Sequence, residues 1–174
     1  MKHYIFGFTT AAFIFLYQIA MTQPPVGKPV PAFQFENVQQ YNTKVVNNEH
    51  YKGKWLYLDF FSRICLNCVK DIGKTDSLYK SLKHDMNFLM VVNTSESAFG
   101  KRVDKEVIER LYAKQKFTFP YVYDSLQHEK WEFYSAPHIV IIDPGGVVRV
   151  VSNGSDVNLE KLQKLIRGER VSFY

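Results

Sequence analysis

Cys65-Leu66-Asn67-Cys68 contains both cysteines of the chain. Two thiols spaced this way can work as a nucleophile and a resolving partner in disulfide exchange. The apolar run Trp55-Leu56-Tyr57-Leu58-Asp59-Phe60-Phe61 comes just before them. A strand that hands a CxxC pair to the start of a helix is the layout of a dithiol/disulfide redox centre. At a helix N-terminus, free backbone N–H groups and the helix dipole favour a thiolate, which lowers the thiol pKa from about 8.5 toward neutral. Cys65 is therefore the candidate attacking sulfur. Cys68, one turn on and more buried, is the candidate resolving thiol. A static disulfide or two inert core thiols are the competing readings. Zinc needs about four ligands, whereas the five histidines are scattered and no second cysteine pair exists. The expected chemistry needs no metal and no cofactor.

Other residues frame the pair. Asp59 interrupts an otherwise apolar strand six residues before Cys65, where an unpaired carboxylate would be costly to bury. Backbone or lysine contacts at the sheet end could also satisfy it. Phe61, Ile64 and Leu66 make a candidate apolar rim around Cys65, suited to docking protein disulfides; core packing explains Phe61 equally well. Arg63 and Lys70 flank the motif as solvated charges or as support for a thiolate. His138 follows Pro137 and reads as a surface histidine.

The elements that must position these groups can be read from hydrophobic period. Residues 24–31 (PPVGKPVP) are too proline-rich for a helix. Short strands are expected over 32–38 and 43–46. The strand at 55–61 is apolar almost throughout, as in a strand covered on both faces. A helix over 65–83 is expected to bury Val69, Ile72, Leu78 and Leu82, with Gly73 lowering its propensity or marking a kink. A second buried strand covers 86–92, followed by a polar loop over 93–100. A helix over 102–116 would bury Val103, Val107, Leu111 and Tyr112. Residues 117–123 are extended around Pro120, and 125–133 form a short helix. Strands 138–142 and 147–151 flank the turn Asp143-Pro144-Gly145-Gly146 as a hairpin. The last helix spans 157–168, with Leu159, Leu162, Leu165 and Ile166 inward and Gly168 as its stop. The alternation predicts an α/β domain with a mixed central sheet.

Composition narrows the function classes. The chain has 174 residues, of which 46% are hydrophobic and 22% charged, the balance of a globular body. The net charge of +5 is mild. Lysines and arginines alternate with acids and form no basic stripe with aromatics, which argues against nucleic-acid binding. Residues 1–22 read as a secretory signal: Lys2 and His3, then a nearly continuous apolar stretch to Ala20. An uncleaved anchor is the alternative, and membrane contact is expected only in that case. The apolar stretch, about 17 residues, is at the short limit for spanning a bilayer. No cysteine lies near the junction, so no lipid-modified N-terminus is expected. Export would place the pair where disulfides persist. The expected organisation is a signal segment at 1–22, a Pro-rich lead-in at 23–31, one α/β domain at 32–170 and a tail at 171–174.

The motifs resemble the exported TlpA/ResA-like thiol-disulfide oxidoreductases of thioredoxin fold, especially the type found in Bacteroidetes. Gly53-Lys54-Trp55 to Phe61 is similar to that family's pre-motif strand, and Cys65 to Cys68 occupies its CxxC site. Ala136-Pro137-His138, followed by Ile139 to Gly146, looks like its cis-proline strand and turn, and residues 157–162 look like its closing helix. The similarity covers roughly residues 26–170. It implies a three-layer thioredoxin-like sandwich around a mixed sheet. It implies that Asp59 sits beneath the dithiol as a general acid/base with a pKa raised by desolvation. It also implies that Pro137, with Ala136, Ile64 and Leu66, meets the substrate chain by strand pairing; an ordinary trans proline opening an edge strand is the alternative. The implied partners are protein thiols or disulfides and an upstream dithiol donor or acceptor. Several neighbours depart from the family pattern: Ile64 stands in place of Trp, Leu66-Asn67 in place of Gly-Pro, Gly73 in place of Pro and Ala136 in place of Thr. Two alternatives stand beside this reading. One is a redox-silent thioredoxin-like binding module. The other is a peroxide reductase on the same fold, against which Ser62 and the lack of the usual upstream proline argue.

Overall fold

A computed structural model of the chain describes residues 24–62, 65–94, 105–124, 126–131 and 138–173. The signal segment read at 1–22 lies outside the described residues.

A five-stranded sheet forms the centre, in the order β5-β4-β3-β6-β7. Strand β3 (Trp55–Phe61) pairs in parallel with β4 (Met86–Asn93) and antiparallel with β6 (His138–Ile142). Strand β5 (Tyr121–Asp124) extends the parallel side, and β7 (Val148–Ser152) closes the hairpin with β6. A separate ribbon pairs β1 (Gln34–Glu36) with β2 (Val45–Asn47). The mixed α/β sheet expected from the sequence is present.

Being central, β3 is buried on both faces. Leu56, Leu58 and Phe60 point to one side, where Phe33, Phe35, Val46, Tyr51 and Trp131 cover them. Tyr57 and Phe61 point to the other. There they meet α1 (Leu66–Leu82), α2 (Lys105–Gln115) and α4 (Leu159–Ile166). This double burial is why the strand reads as a continuous apolar run. It also places Asp59 on the α1 side, in line with Tyr57 and Phe61. The first layer is helical. The other is built mainly from the ribbon, a 3-10 turn at Asn48–Tyr51 and the short helix α3 (Leu126–Lys130).

Several boundaries and faces differ from the sequence reading. The expected strand 32–38 shrinks to Gln34–Glu36, and its partner shifts to Val45–Asn47. Asn37 and Gln40 take positive φ (58° and 55°) in the connection between them. Val69, expected inside, is 39% exposed. The inward stripe of α1 includes the polar residues Thr75 and Asp76 alongside Cys68, Ile72, Leu78 and Leu82. Asp76 earns its burial by accepting the Thr118 N–H at 3.1 Å. The helix runs unbroken through Gly73. On α2 the fully buried positions are Ile108 and Tyr112, with Val107 and Leu111 half-buried; Val103 lies outside the described residues. On α4 Leu162 is buried, while Leu159, the first residue after the Asn158 cap, is 37% exposed; the cap starts the helix later than expected.

Candidate functional site

The site is built where β3 ends and α1 begins. Cys65 has extended backbone (φ −84°, ψ 105°) and occupies the N-cap of α1. The backbone N–H of Cys68 donates to Cys65 Sγ at 3.0 Å. Sulfur thus plays the part that a Ser or Asp oxygen plays in an ordinary cap. The Cys65 carbonyl accepts the Val69 N–H at 3.2 Å, and the Cys65 N–H is held by the Ser62 carbonyl at 3.1 Å. The two sulfurs form a disulfide, with the Cα atoms 5.2 Å apart.

The cysteines are unequal. Cys68 is 3% exposed and packed among Phe61, Ile72, Met90 and Tyr112. Cys65 is half-buried at the edge of that cluster. Of the two, Cys65 is the more exposed. Leu66, next to Cys65, is 76% exposed. Phe61 is buried at 1% and belongs to the core rather than to a rim. Lys70 is exposed, as expected of a solvated charge, and His138 is half-buried opposite Phe60 in the sheet. Arg63, Ile64, Ala136 and Pro137 lie outside the described residues.

Asp59 is 6% exposed and lines a small cavity together with Cys68. Thr75 Oγ1 donates to its Oδ2 at 2.9 Å. Burial pushes the Asp59 pKa up to about 6; the Thr75 hydrogen bond and the positive charge of Lys74 work against that rise, and Asp71 adds to it. Lys74 is tied elsewhere: its Nζ donates to the Gly154 carbonyl at 2.9 Å. A cavity of about 10 Å³ lies between Asp59, Cys68, Asp71, Lys74 and Thr75, near the lower limit for one water. The structure thus brings Asp59 and Cys68 together around one small space. Thr75, Lys74 and Asp71 were missed in the sequence because only apolar residues were traced along the helix. Their signal was there: Cys68, Asp71 and Thr75 follow at helical spacings of three and four. A larger open groove of about 850 Å³ lies on the opposite face, between the β1–β2 ribbon, β5 and α3; neither cysteine lines it.

Residues 26–151 match the family model described as "AhpC/TSA family". The chain belongs to the AhpC/TSA family. Solved structures share the fold of this AhpC/TSA protein. The thioredoxin domain of a thiol-disulfide oxidoreductase from Bacteroides vulgatus aligns with a TM-score of 0.63 at 18% identity, covering 82% of this chain and 98% of that one. The exposed lipoprotein thioredoxin of Streptococcus pneumoniae gives 0.61 at 20% identity, over 79% and 99% of the two chains. StoA from Bacillus subtilis gives 0.60 at 18% identity, over 77% and 95%. No curated protein sequence matches the chain. The resemblance drawn from the motifs is borne out in family and in fold: this is a thioredoxin-like domain with a CxxC disulfide.

Proposed function

We propose that the protein is an exported thiol-disulfide oxidoreductase acting on protein thiols or disulfides through a mixed disulfide. The observation that carries the reading is the asymmetric pair. Cys65 caps a helix with its Sγ and is the more exposed; Cys68 is buried, beside an acid. Family membership and the oxidoreductases among its structural neighbours support the same reaction class.

In the reducing direction the Cys65 thiolate attacks one sulfur of a substrate disulfide. A Cys65–substrate disulfide forms and the other substrate sulfur leaves as a thiolate. Asp59, as carboxylate, takes the proton of the Cys68 thiol, with the cavity between them providing the path. The Cys68 thiolate then attacks Cys65 Sγ, re-forms the internal disulfide and expels the second substrate thiolate. Two electrons pass to the substrate, and the two protons it needs come from Asp59 and solvent. An upstream dithiol resets the centre. Run backward, the same steps oxidise a substrate dithiol, and an upstream acceptor takes the electrons. Leu66 offers an exposed apolar contact for the substrate chain, and the family resemblance adds Ile64, Ala136 and Pro137 to that docking strip.

Export rests on the apolar segment at 1–22. The pneumococcal neighbour, described as an exposed lipoprotein, is consistent with an envelope location. Among the described residues no helix is long and apolar enough to cross a membrane.

Insulin reduction with dithiothreitol tests the reaction. The wild type should accelerate precipitation of the insulin B chain, and Cys65→Ser should abolish the acceleration. Equal rates for the two proteins would defeat the reading.

A further inference from the structure

Thr75 is buried (4% exposed) on the face of α1 that covers β3. Its hydroxyl donates to Asp59 Oδ2, and Asp59 Oδ1 accepts no hydrogen bond among the described residues. Asp59 and Cys68 share the small cavity beside it. A buried carboxyl held at one oxygen keeps a fixed orientation, and its other oxygen is left to receive a proton. We propose that Thr75 is a positioning residue for the dithiol chemistry, pinning one oxygen of Asp59 so that the other serves the cavity it shares with Cys68. This rests on the general-base role proposed for Asp59.

The charged and titratable surroundings of Asp59 are few. On α1 they are Asp71, Lys74 and, in the reduced protein, the Cys68 thiol. Tyr57 on its own strand and Tyr112 on α2 are near enough to feel its charge. The flanking strands present Met90 and Ile139, neither of which carries a charge. Thr75 is the one side chain that hydrogen-bonds to the carboxyl. Its hydrogen bond favours the charged form, so removing it makes the proton harder to release.

Thr75→Val keeps the shape and deletes the donor; Thr75→Ser keeps the donor. The readouts are the pH profile of single-turnover disulfide exchange and the carboxyl NMR titration of Asp59 in the reduced full chain. In Thr75→Val the acid limb and the Asp59 midpoint should both move up by roughly one pH unit. The exchange rate should then fall about tenfold near pH 5 and recover to within about twofold near pH 8.5. Thr75→Ser should track the wild type in both. The NMR midpoint remains readable even if exchange is lost. A Thr75→Val profile and midpoint that superimpose on the wild type, or a Thr75→Ser shift as large as the Val shift, would overturn the role of Thr75. Asp59→Asn separates the two layers. If it leaves the exchange rate unchanged, the general-base reading fails and takes Thr75 with it. If it slows exchange while Thr75→Val does not shift the profile, only the positioning role fails.

Discussion

The backbone N–H of Cys68 points at the sulfur of Cys65 across 3.0 Å, at the first turn of a seventeen-residue helix. One residue of the pair is thereby placed to stabilise a thiolate on the other once the disulfide is reduced. In the reduced protein this N–H and the unpaired amides of the first turn would face a thiolate. Cys68 has no matching advantage, because burial among apolar side chains penalises its charged form.

Alkylation should therefore discriminate between the two thiols. Iodoacetamide added to the reduced protein should modify Cys65 first, with a rate midpoint below about 8.5, the ordinary thiol value. Peptide mass mapping reads the ratio directly. Equal labelling of both cysteines, or preference for Cys68, would contradict the asymmetry. In Cys68→Ser, the mixed disulfide with a protein substrate should accumulate, since nothing remains to resolve it.

Asp59 gives a stability prediction with a definite sign. Its folded pKa is raised from 3.8 to about 6, mainly by burial. Between those values the unfolded chain has released the proton while the folded protein still holds it. The unfolded state then binds fewer protons, so stability falls as pH climbs through this window and levels off above it. The raised pKa corresponds to about 3 kcal/mol at neutral pH, to order of magnitude. Asp59→Asn cannot ionise and can still accept from Thr75. It should match the wild type near about pH 4 and be more stable near about pH 7, by up to about 3 kcal/mol, while exchanging disulfides more slowly. Urea midpoints at the two pH values measure it. A variant less stable than the wild type at neutral pH would show that the carboxylate is better accommodated than its burial implies.

Much of this architecture was legible in the chain. The 55–61 run announced a doubly covered strand because both faces of β3 are apolar apart from Asp59. The Asp-Pro-Gly-Gly turn announced the β6–β7 hairpin because Asp143 Oδ1 can accept the N–H groups of Gly145 and Val147. The polar half of the site was not legible. Thr75 and Asp76 look like surface residues by type, and only tertiary partners on β3 and in the α2–β5 connection bury them. Lys74 likewise gained its place from the Gly154 carbonyl, 80 residues away. Pattern reading weighs each residue against its own helix, whereas these three are placed by contacts across the fold.

Gly73 offers a test of the helix alone. It lies inside α1 without positive φ, and a Cβ built on it would meet nothing within 4 Å. Its freedom therefore favours the unfolded state, with no compensating contact in the folded one. Gly73→Ala should raise stability by about 0.5–1 kcal/mol, read as a higher urea midpoint at constant m-value. The Ser77 hydroxyl, which donates to the Gly73 carbonyl, keeps its partner. A loss of stability would mean that this helix needs flexibility at that turn.

Leu66 separates docking from chemistry. It is 76% exposed beside Cys65, so it contributes little to the core, and under the proposed function a substrate chain would pass over it. Leu66→Ser should leave the unfolding midpoint within about 0.5 kcal/mol of the wild type. It should also leave the rate with a small aromatic disulfide nearly unchanged, because that reagent needs only the Cys65 thiolate. With a protein disulfide, loss of the apolar contact should raise KM about threefold to tenfold, the effect of roughly 1 kcal/mol of buried side chain. Stopped-flow rates with the two substrates, measured on the same preparation, decide the matter. If both rates fall together, Leu66 acts on the thiolate itself; if neither changes, the substrate does not pass over this turn.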